Sequence, residues 1–329
     1  MPDAPAKKLI SVVTPCFNEE DNVEACYQAV KALFDGPLSA YEFEHVFCDN
    51  YSTDRTVEKL RAMAAADPRV KVILNARNFG PFRSNFNGVM AASGDAVVIA
   101  LAADQQDPPE VIVDFVKQWE AGHKVVYGIR AQRQEGLVMR STRRAYYRLV
   151  SRFADMEIPP DVGEFQLVDR VVVEALRKCD DYYPYIRGMI AHCGFPRVGV
   201  PFTWKARARG MSKNRLFHLI DQALNGIISF TNVPMRVAMS VGLLIATLAI
   251  GLAVVNLALN LVYYRQFAAP GIPTLIVAVF FFGGVQLFFM GILGEYIAAI
   301  HSQVRKRPVV VERERINFDP KRLSPHDGR

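Results

Sequence analysis

Two stretches of this chain run without formal charge for longer than a soluble helix normally allows. Residues 237–264 hold 28 positions with no Asp, Glu, Lys or Arg, and residues 272–294 hold 23. Each exceeds the ~20 residues that cross ~30 Å of hydrocarbon as a helix, so residues 236–301 are expected to form two transmembrane helices. The connection at 265–271 (RQFAAPG) contains Pro270 and Gly271 and is short enough only for a tight hairpin. Basic residues crowd the outer flanks: Lys205, Arg207, Arg209, Lys213, Arg215 and Arg236 before, then Arg305, Lys306, Arg307, Arg313 and Arg315 after. By the positive-inside rule both termini are expected in the cytoplasm. No secretory signal is expected, since MPDAPAKK leads straight into the short apolar run LISVVTP. The segment 215–235 contains LFHLIDQALNGIISF, with Leu216, Leu219, Ile220, Ala223, Leu224, Ile227 and Ile228 at helical spacing. It is expected to lie in the membrane interface, with a plain core helix as the alternative.

The remaining 214 N-terminal residues are expected to be a cytoplasmic domain, and residues 302–329 a charged tail for which strand pairing over 308–311 and a mobile arm both stay open. Hydrophobic residues make up 51% of the chain and charged residues 22%, which excludes disorder as a description of the whole. The net charge of +6 suits phosphates or a membrane surface and is too weak to argue for nucleic acid. Cys16, Cys26, Cys48, Cys179 and Cys193 form no CxxC pair and no zinc spacing, so a reducing compartment with neither disulfide framework nor structural metal is expected.

Within the N-terminal domain, β-rich runs at 9–14, 43–48, 71–74, 96–101 and 124–127 alternate with helical patterns such as Val23, Cys26, Val30, Leu33 and Phe34. The runs are continuously apolar, as in a parallel sheet buried on both faces, and ligands of such sheets sit beyond the carboxyl ends of the strands. The residues in that place are Pro15, Asn18, Glu19, Glu20 and Asp21; then Asp49, Asn50, Ser52 and Asp54; then Asp104, Gln106 and Asp107; then Arg130 and Arg133. No GxGxxG follows the first strand and no Walker A sequence occurs, which removes the main support for a dinucleotide enzyme or a P-loop ATPase. Carboxylates beside cationic groups at one sheet edge suit a divalent metal holding a diphosphate. Each acidic group taken singly also fits a helix cap or a solvated turn, and Asn18 and Asp54 fit N-caps.

Eight segments in order, VVTPCFNEEDNV (12–23), FCDNYSTDRT (47–56), NARNFGPFRSNFNGVMAASGD (75–95), ADQQDPPE (103–110), VVYGIRAQR (125–133), DVGEFQLVDR (161–170), RARGMSK (207–213) and GVQLFFMGILGEYI (284–297), followed by the apolar C-terminal pair, carry a resemblance. The chain resembles the membrane-bound family 2 glycosyltransferases that load a sugar onto a polyisoprenyl phosphate, the group of dolichol-phosphate mannose synthases and bactoprenol glucosyltransferases. The two-span ending is similar to the bactoprenol branch. The resemblance implies an α/β, GT-A type nucleotide-diphospho-sugar transferase domain, a UDP-sugar or GDP-sugar donor, Mg2+ or Mn2+, and inversion at the anomeric carbon. It implies that Pro15, Asn18, Glu20, Asp49 and Asn50 hold the base and ribose, and that Arg207 and Lys213 meet the donor diphosphate. By the same resemblance Asp104, the last carboxylate of the DxD motif, and Gln106 would hold the metal, and Arg130 and Arg140 would bind the lipid phosphate. Arg133 and Arg144, in the same arginine-rich stretch, would join them or form a solvated helix face, and Glu164 would orient the acceptor or the groups around it.

Three positions depart from the family pattern: Ala102 stands for the first Asp of DxD, Asn50 for a frequent second Asp, and Glu164 for a frequent Asp. The expected activity is transfer of a hexose, glucose, from a UDP-sugar to undecaprenyl phosphate by a homo-oligomer in the bacterial inner membrane. GDP-mannose transfer, and a nucleotide-sugar-binding subunit impaired at Ala102, are the alternatives. A processive polysaccharide synthase is disfavoured, since no QxxRW occurs and two spans are too few for a translocation channel.

Overall fold

The five apolar runs become strands in the computed structural model: β1 (Leu9–Cys16), β2 (Glu42–Asp49), β3 (Val70–Asn75), β4 (Ala96–Ile99) and β5 (Val125–Arg130). The structure describes residues 7–130, 162–179, 181, 184–203, 240–242, 244–245, 247–248, 251, 255, 272–305 and 307–319. Arg133, Arg140, Arg144, Arg207, Lys213, the segment 216–230 and most of the first expected span lie outside the described residues.

Helices α1 (Val23–Asp35), α2 (Thr56–Ala66), α3 (Pro81–Ala91) and α4 (Val111–Glu120) follow the first four strands in turn. After β5 come β6 (Val162–Asp169), α5 (Arg170–Arg177), α6 (Ile186–His192) and β7 (Arg197–Phe202). Among the described residues one sheet takes all the strands in the order β7-β5-β6-β4-β1-β2-β3-β8, where β8 (Glu312–Ile316) comes from the C-terminal part of the chain. Pairing is parallel between β4, β1, β2 and β3 and between β5 and β7, while β6 and β8 run against their neighbours. The expected mostly parallel α/β sheet is present, with two antiparallel strands that no apolar run announces.

Alternate side chains of the buried strands feed two cores, one on each face of the sheet. Val12, Phe47 and Leu74 pack with Val30 of α1, Leu60 of α2 and Phe115 of α4; Val13, Cys48 and Ile73 pack with Val89 of α3, Leu176 of α5 and Met189 of α6. The α3 contact is close enough to need glycine. A Cβ on Gly88 would lie 2.3 Å from Cys48 Sγ and 2.7 Å from Val13 Cγ1. Gly88→Ala is therefore expected to destabilise the domain by about 2 kcal/mol, in the range of overpacked cores. Thermal melting checks this, with Cys48→Ala added to Gly88→Ala recovering part of the loss.

His45 lies fully buried in the first core, with Nε2 2.8 Å from Thr14 Oγ1, its ring stacked on Phe47 at 4.0 Å, and Nδ1 without a hydrogen-bond partner. Burial pushes its pKa down to about 3. The folded state thus holds a neutral imidazole that the unfolded chain protonates near its ordinary value of about 6.5. Stability from this residue is complete above that pH and is lost as pH falls toward 3. The full effect amounts to at most about 5 kcal/mol. His45→Gln should flatten the fall in melting temperature between pH 6.5 and 4, whatever its effect at neutral pH; an unchanged slope would remove His45 as the cause.

By internal contacts the chain forms two units, one of residues 1–147, 156–213 and 307–329, the other of 148–155 and 214–306. In the second, α7 (Ile272–Val304) is ~50 Å long at the usual rise. Its stretch Phe281–Ala298 has the length and mean hydropathy to cross a membrane and is only 6% buried. The described residues between 240 and 255 are also helical, and Leu244, Leu248 and Val255 among them are exposed.

Candidate active site

The loops at the carboxyl edge of the sheet are stitched to one another before they can hold anything else. Pairing of Cys16 with Asp49 at the ends of β1 and β2 sets their following loops side by side. Asn18 Oδ1 accepts from Thr53 N (2.8 Å), Asn18 N donates to Ser52 Oγ (2.8 Å), Glu20 Oε2 accepts from Arg55 N (3.0 Å) and Glu20 N donates to Asp54 Oδ2 (3.3 Å). Asn50 joins the third loop: its Oδ1 accepts from Phe79 N (2.9 Å) and Asn75 Nδ2 (3.1 Å), and its Nδ2 donates to Asn78 Oδ1 (2.9 Å). An aspartate at position 50 could not make the last bond. The side chains of Asn18, Glu20 and Asn50, expected against the donor, are thus engaged in fixing the loops.

Asp49 is different. Its Oδ2 accepts from Tyr51 N and Ser52 N, both at 3.1 Å, while Oδ1 is buried without a hydrogen bond. Burial raises its pKa, countered by the Ser52 hydroxyl, by those amide bonds and by the charge of Arg313 on β8. Unused acceptor capacity in a buried carboxylate is costly in the free protein and suits a ligand N–H or O–H.

The second half of the site gathers around the end of β4. The register of β6 against β4 pairs Ile99 with Gln166, so Glu164 falls past the carboxyl end of β4, alongside the segment that leads to Asp104. Asp104 is nearly buried, with Oδ1 accepting from Gln106 N at 3.2 Å. Asp107 is held by Arg130, the last residue of β5, through one guanidinium nitrogen at 3.1 and 3.2 Å. Glu164 Oε1 lies 2.7 Å from Arg187 Nε of α6, an ion pair not aligned as a hydrogen bond. Burial raises the pKa of Glu164, countered by the charges of Arg187 and Arg130, and burial likewise raises that of Asp107, countered by Arg130. The structure therefore brings together Asp104, Asp107, Arg130, Glu164 and Arg187. Arg187 is absent from the sequence-derived set, because YPYIRGM carries no strand-end signal and only the fold brings α6 to β6.

Left-handed backbone at non-glycine residues marks the same edge: Asn18, Tyr51, Ala100 and Gln105 have φ of 55°, 70°, 56° and 55° and follow β1, β2 and β4. Such conformations persist where the surrounding structure dictates them.

Among the described residues no group of three or more His, Cys, Asp or Glu is placed to hold a metal by itself. A cation arriving with a diphosphate needs less, since Mg2+ is usually held by one or two carboxylates together with phosphate oxygens and water. Asp104 with Gln106 beside it fits that requirement, whereas Asp107 is committed to Arg130.

The family model for glycosyl transferase family 2 matches residues 11–177, and that for the GtrB C-terminal hairpin matches residues 233–300. A protein of Bacillus subtilis (strain 168) named "Uncharacterized glycosyltransferase YkcC" is 33% identical over 95% of this chain and 96% of its own length. A bactoprenol glucosyl transferase of Shigella phage SfII is 35% identical over 91% of this chain and 96% of its own. The mannosyltransferase PcManGT of Pyrobaculum calidifontis, solved with GDP-Man and Mn2+, covers 93% of this chain and 88% of its own at 18% identity and a TM-score of 0.46, a likeness too distant to bear on ligands.

Proposed function

Because the chain belongs to glycosyl transferase family 2 and ends in the GtrB C-terminal hairpin, we propose that it moves glucose from UDP-glucose to undecaprenyl phosphate at the cytoplasmic leaflet, with inversion at the anomeric carbon. The observation that carries this reading is the convergence of Asp49, Asp104, Arg130 and Glu164 on the carboxyl edge of one sheet. The bactoprenol transferases that align along nearly the whole chain support the acceptor and the sugar. The exposed apolar surface of α7 supports the membrane anchor.

In this reading Pro15 and Asp49 take the base and ribose, within loops that Asn18, Glu20 and Asn50 hold rigid. Asp104, with Gln106, holds Mg2+ or Mn2+, which when bound supplies charge to offset that growing on the departing diphosphate. Arg207 and Lys213 meet the same diphosphate. The acceptor phosphate has a second pKa near 6 and is mostly dianionic at pH 7, so no strong base is needed to make its oxygen a nucleophile. That oxygen bonds to the anomeric carbon as the bond from that carbon to the donor phosphate breaks, and UDP leaves with the bonding pair. Arg130, with Arg133, Arg140 and Arg144, attracts the lipid phosphate, and Glu164, steadied by Arg187, orients it. Holding both substrates at one edge makes the attack effectively unimolecular.

The full chain in liposomes containing undecaprenyl phosphate, offered UDP-glucose, other UDP-hexoses and GDP-mannose, tests the reading through the nucleotide released. UDP release from UDP-glucose that requires both acceptor and divalent metal is expected. GDP release from GDP-mannose would transfer the assignment to a mannosyl donor. Binding without any release would favour an impaired subunit, to which Ala102 points.

A further inference from the structure

Tyr51 occupies a backbone conformation that no tyrosine prefers. Its φ is 70°, in the left-handed region where Gly and Asn are at home and a bulky side chain is strained. The turn itself is imposed from outside: Asp49 Oδ2 takes the amides of Tyr51 and Ser52, and Asn50 N donates to Cys16 O at 2.9 Å. Gly or Asn would complete that turn with less strain. The ring does not recover the cost by packing, since Tyr51 is 46% exposed. A large planar side chain is therefore held off the end of β2 on a stitched loop, two residues from a carboxylate whose Oδ1 is buried without a partner. A strained aromatic kept at a ligand edge points to a use in binding.

We propose that the Tyr51 ring is the stacking surface for the nucleobase of the sugar donor, a residue that sets donor affinity. This rests on the nucleotide-sugar reading above. The occupant is a planar heterocycle because Asp49, two residues away, keeps a buried carboxylate oxygen for N–H groups while the exposed tyrosine ring offers a π face. Stacking is tolerant of base identity, so Tyr51 contributes affinity without choosing between uracil and guanine.

The test measures UDP affinity by calorimetry on the full chain in detergent, with thermal melting alongside. Tyr51→Asn removes the ring and suits the left-handed turn. It is expected to melt at or above the parent while binding UDP roughly tenfold more weakly, with the KM for undecaprenyl phosphate unchanged. Tyr51→Phe should bind UDP as the parent does. Tyr51→Leu keeps both bulk and strain without a π face, so it should bind more weakly than Tyr51→Phe even if both variants lose stability. Equal UDP affinity across Tyr51→Leu, Tyr51→Phe and parent would overturn the proposal while leaving the transferase reading standing. A parent that binds no nucleotide and transfers no sugar would overturn both.

Discussion

Asp104→Asn is expected to lower sugar transfer about a thousandfold while leaving the melting temperature close to that of the parent. In the proposed reading this carboxylate, in the loop after β4, holds the metal: Ala102 supplies no carboxylate and Asp107 pairs with Arg130. A neutral amide keeps an oxygen that can accept from the Gln106 backbone amide, as Asp104 Oδ1 does at 3.2 Å, so the loop should hold its shape. What is lost is the negative charge that keeps a divalent cation against the diphosphate, and the stabilisation of a leaving group of this kind amounts to several kcal/mol. Transfer by Asp104→Asn measured over a range of Mn2+ concentrations checks the cause. A loss partly restored at high metal fits a weakened site. Activity within tenfold of the parent at ordinary metal concentration would show that Asp104 is not the metal ligand.

Ending the chain after Val304 is expected to have the second large effect, on the catalytic unit and not on the anchor. The chain leaves this unit before the segment matching the GtrB C-terminal hairpin and returns to it at residue 307. β8 then pairs antiparallel with β3, Val72 opposite Ile316 and Leu74 opposite Glu314. Asn317 Nδ2 donates to Ala64 O (2.7 Å) and Val70 O (2.9 Å), Glu312 accepts from Asn87 Nδ2 (2.6 Å), and Arg61 pairs with Glu314. Ile316 packs against one core while Val309 and Phe318 pack against the other. Truncation removes all of these and uncovers β3 as an apolar edge, a ready template for aggregation. A melting temperature lower by about 10 °C or more and faster proteolysis at residues 67–80 are expected, with Phe318→Ala alone giving a smaller loss. A truncated chain that melts with the parent would mean that β8 adds nothing to the fold.

The parts of the fold legible in the sequence are those whose burial is uniform. β1 to β4 lie deep in a parallel sheet, so VVTPC or VKVIL stands out as an apolar run. β6 is hidden because Glu164 and Gln166 interrupt its apolar pattern. β8, with the sequence ERERI, has no apolar run and becomes a strand only because β3 offers an unpaired edge. The same distinction governs the site. The placement of Asp49 and Arg130 at the ends of β2 and β5, and of Asp104 in the loop after β4, is legible from the apolar runs before them. Arg187 is not, being brought to Glu164 by packing of α6 that no local pattern encodes. For Asn18, Glu20 and Asn50 the location was legible but the bonds were not, because a motif names residues and does not say whether they face a ligand or the neighbouring loop.

The most direct measurement is the appearance of label in undecaprenyl-linked product when the full chain, reconstituted in liposomes with undecaprenyl phosphate, is given radiolabelled UDP-glucose and Mn2+, with Asp104→Asn run beside it. Acceptor-dependent labelling of the lipid by the parent and its near-disappearance in Asp104→Asn is the predicted result. UDP-glucose left intact by a parent that still binds UDP would contradict the assignment of this sheet edge as a transferase site.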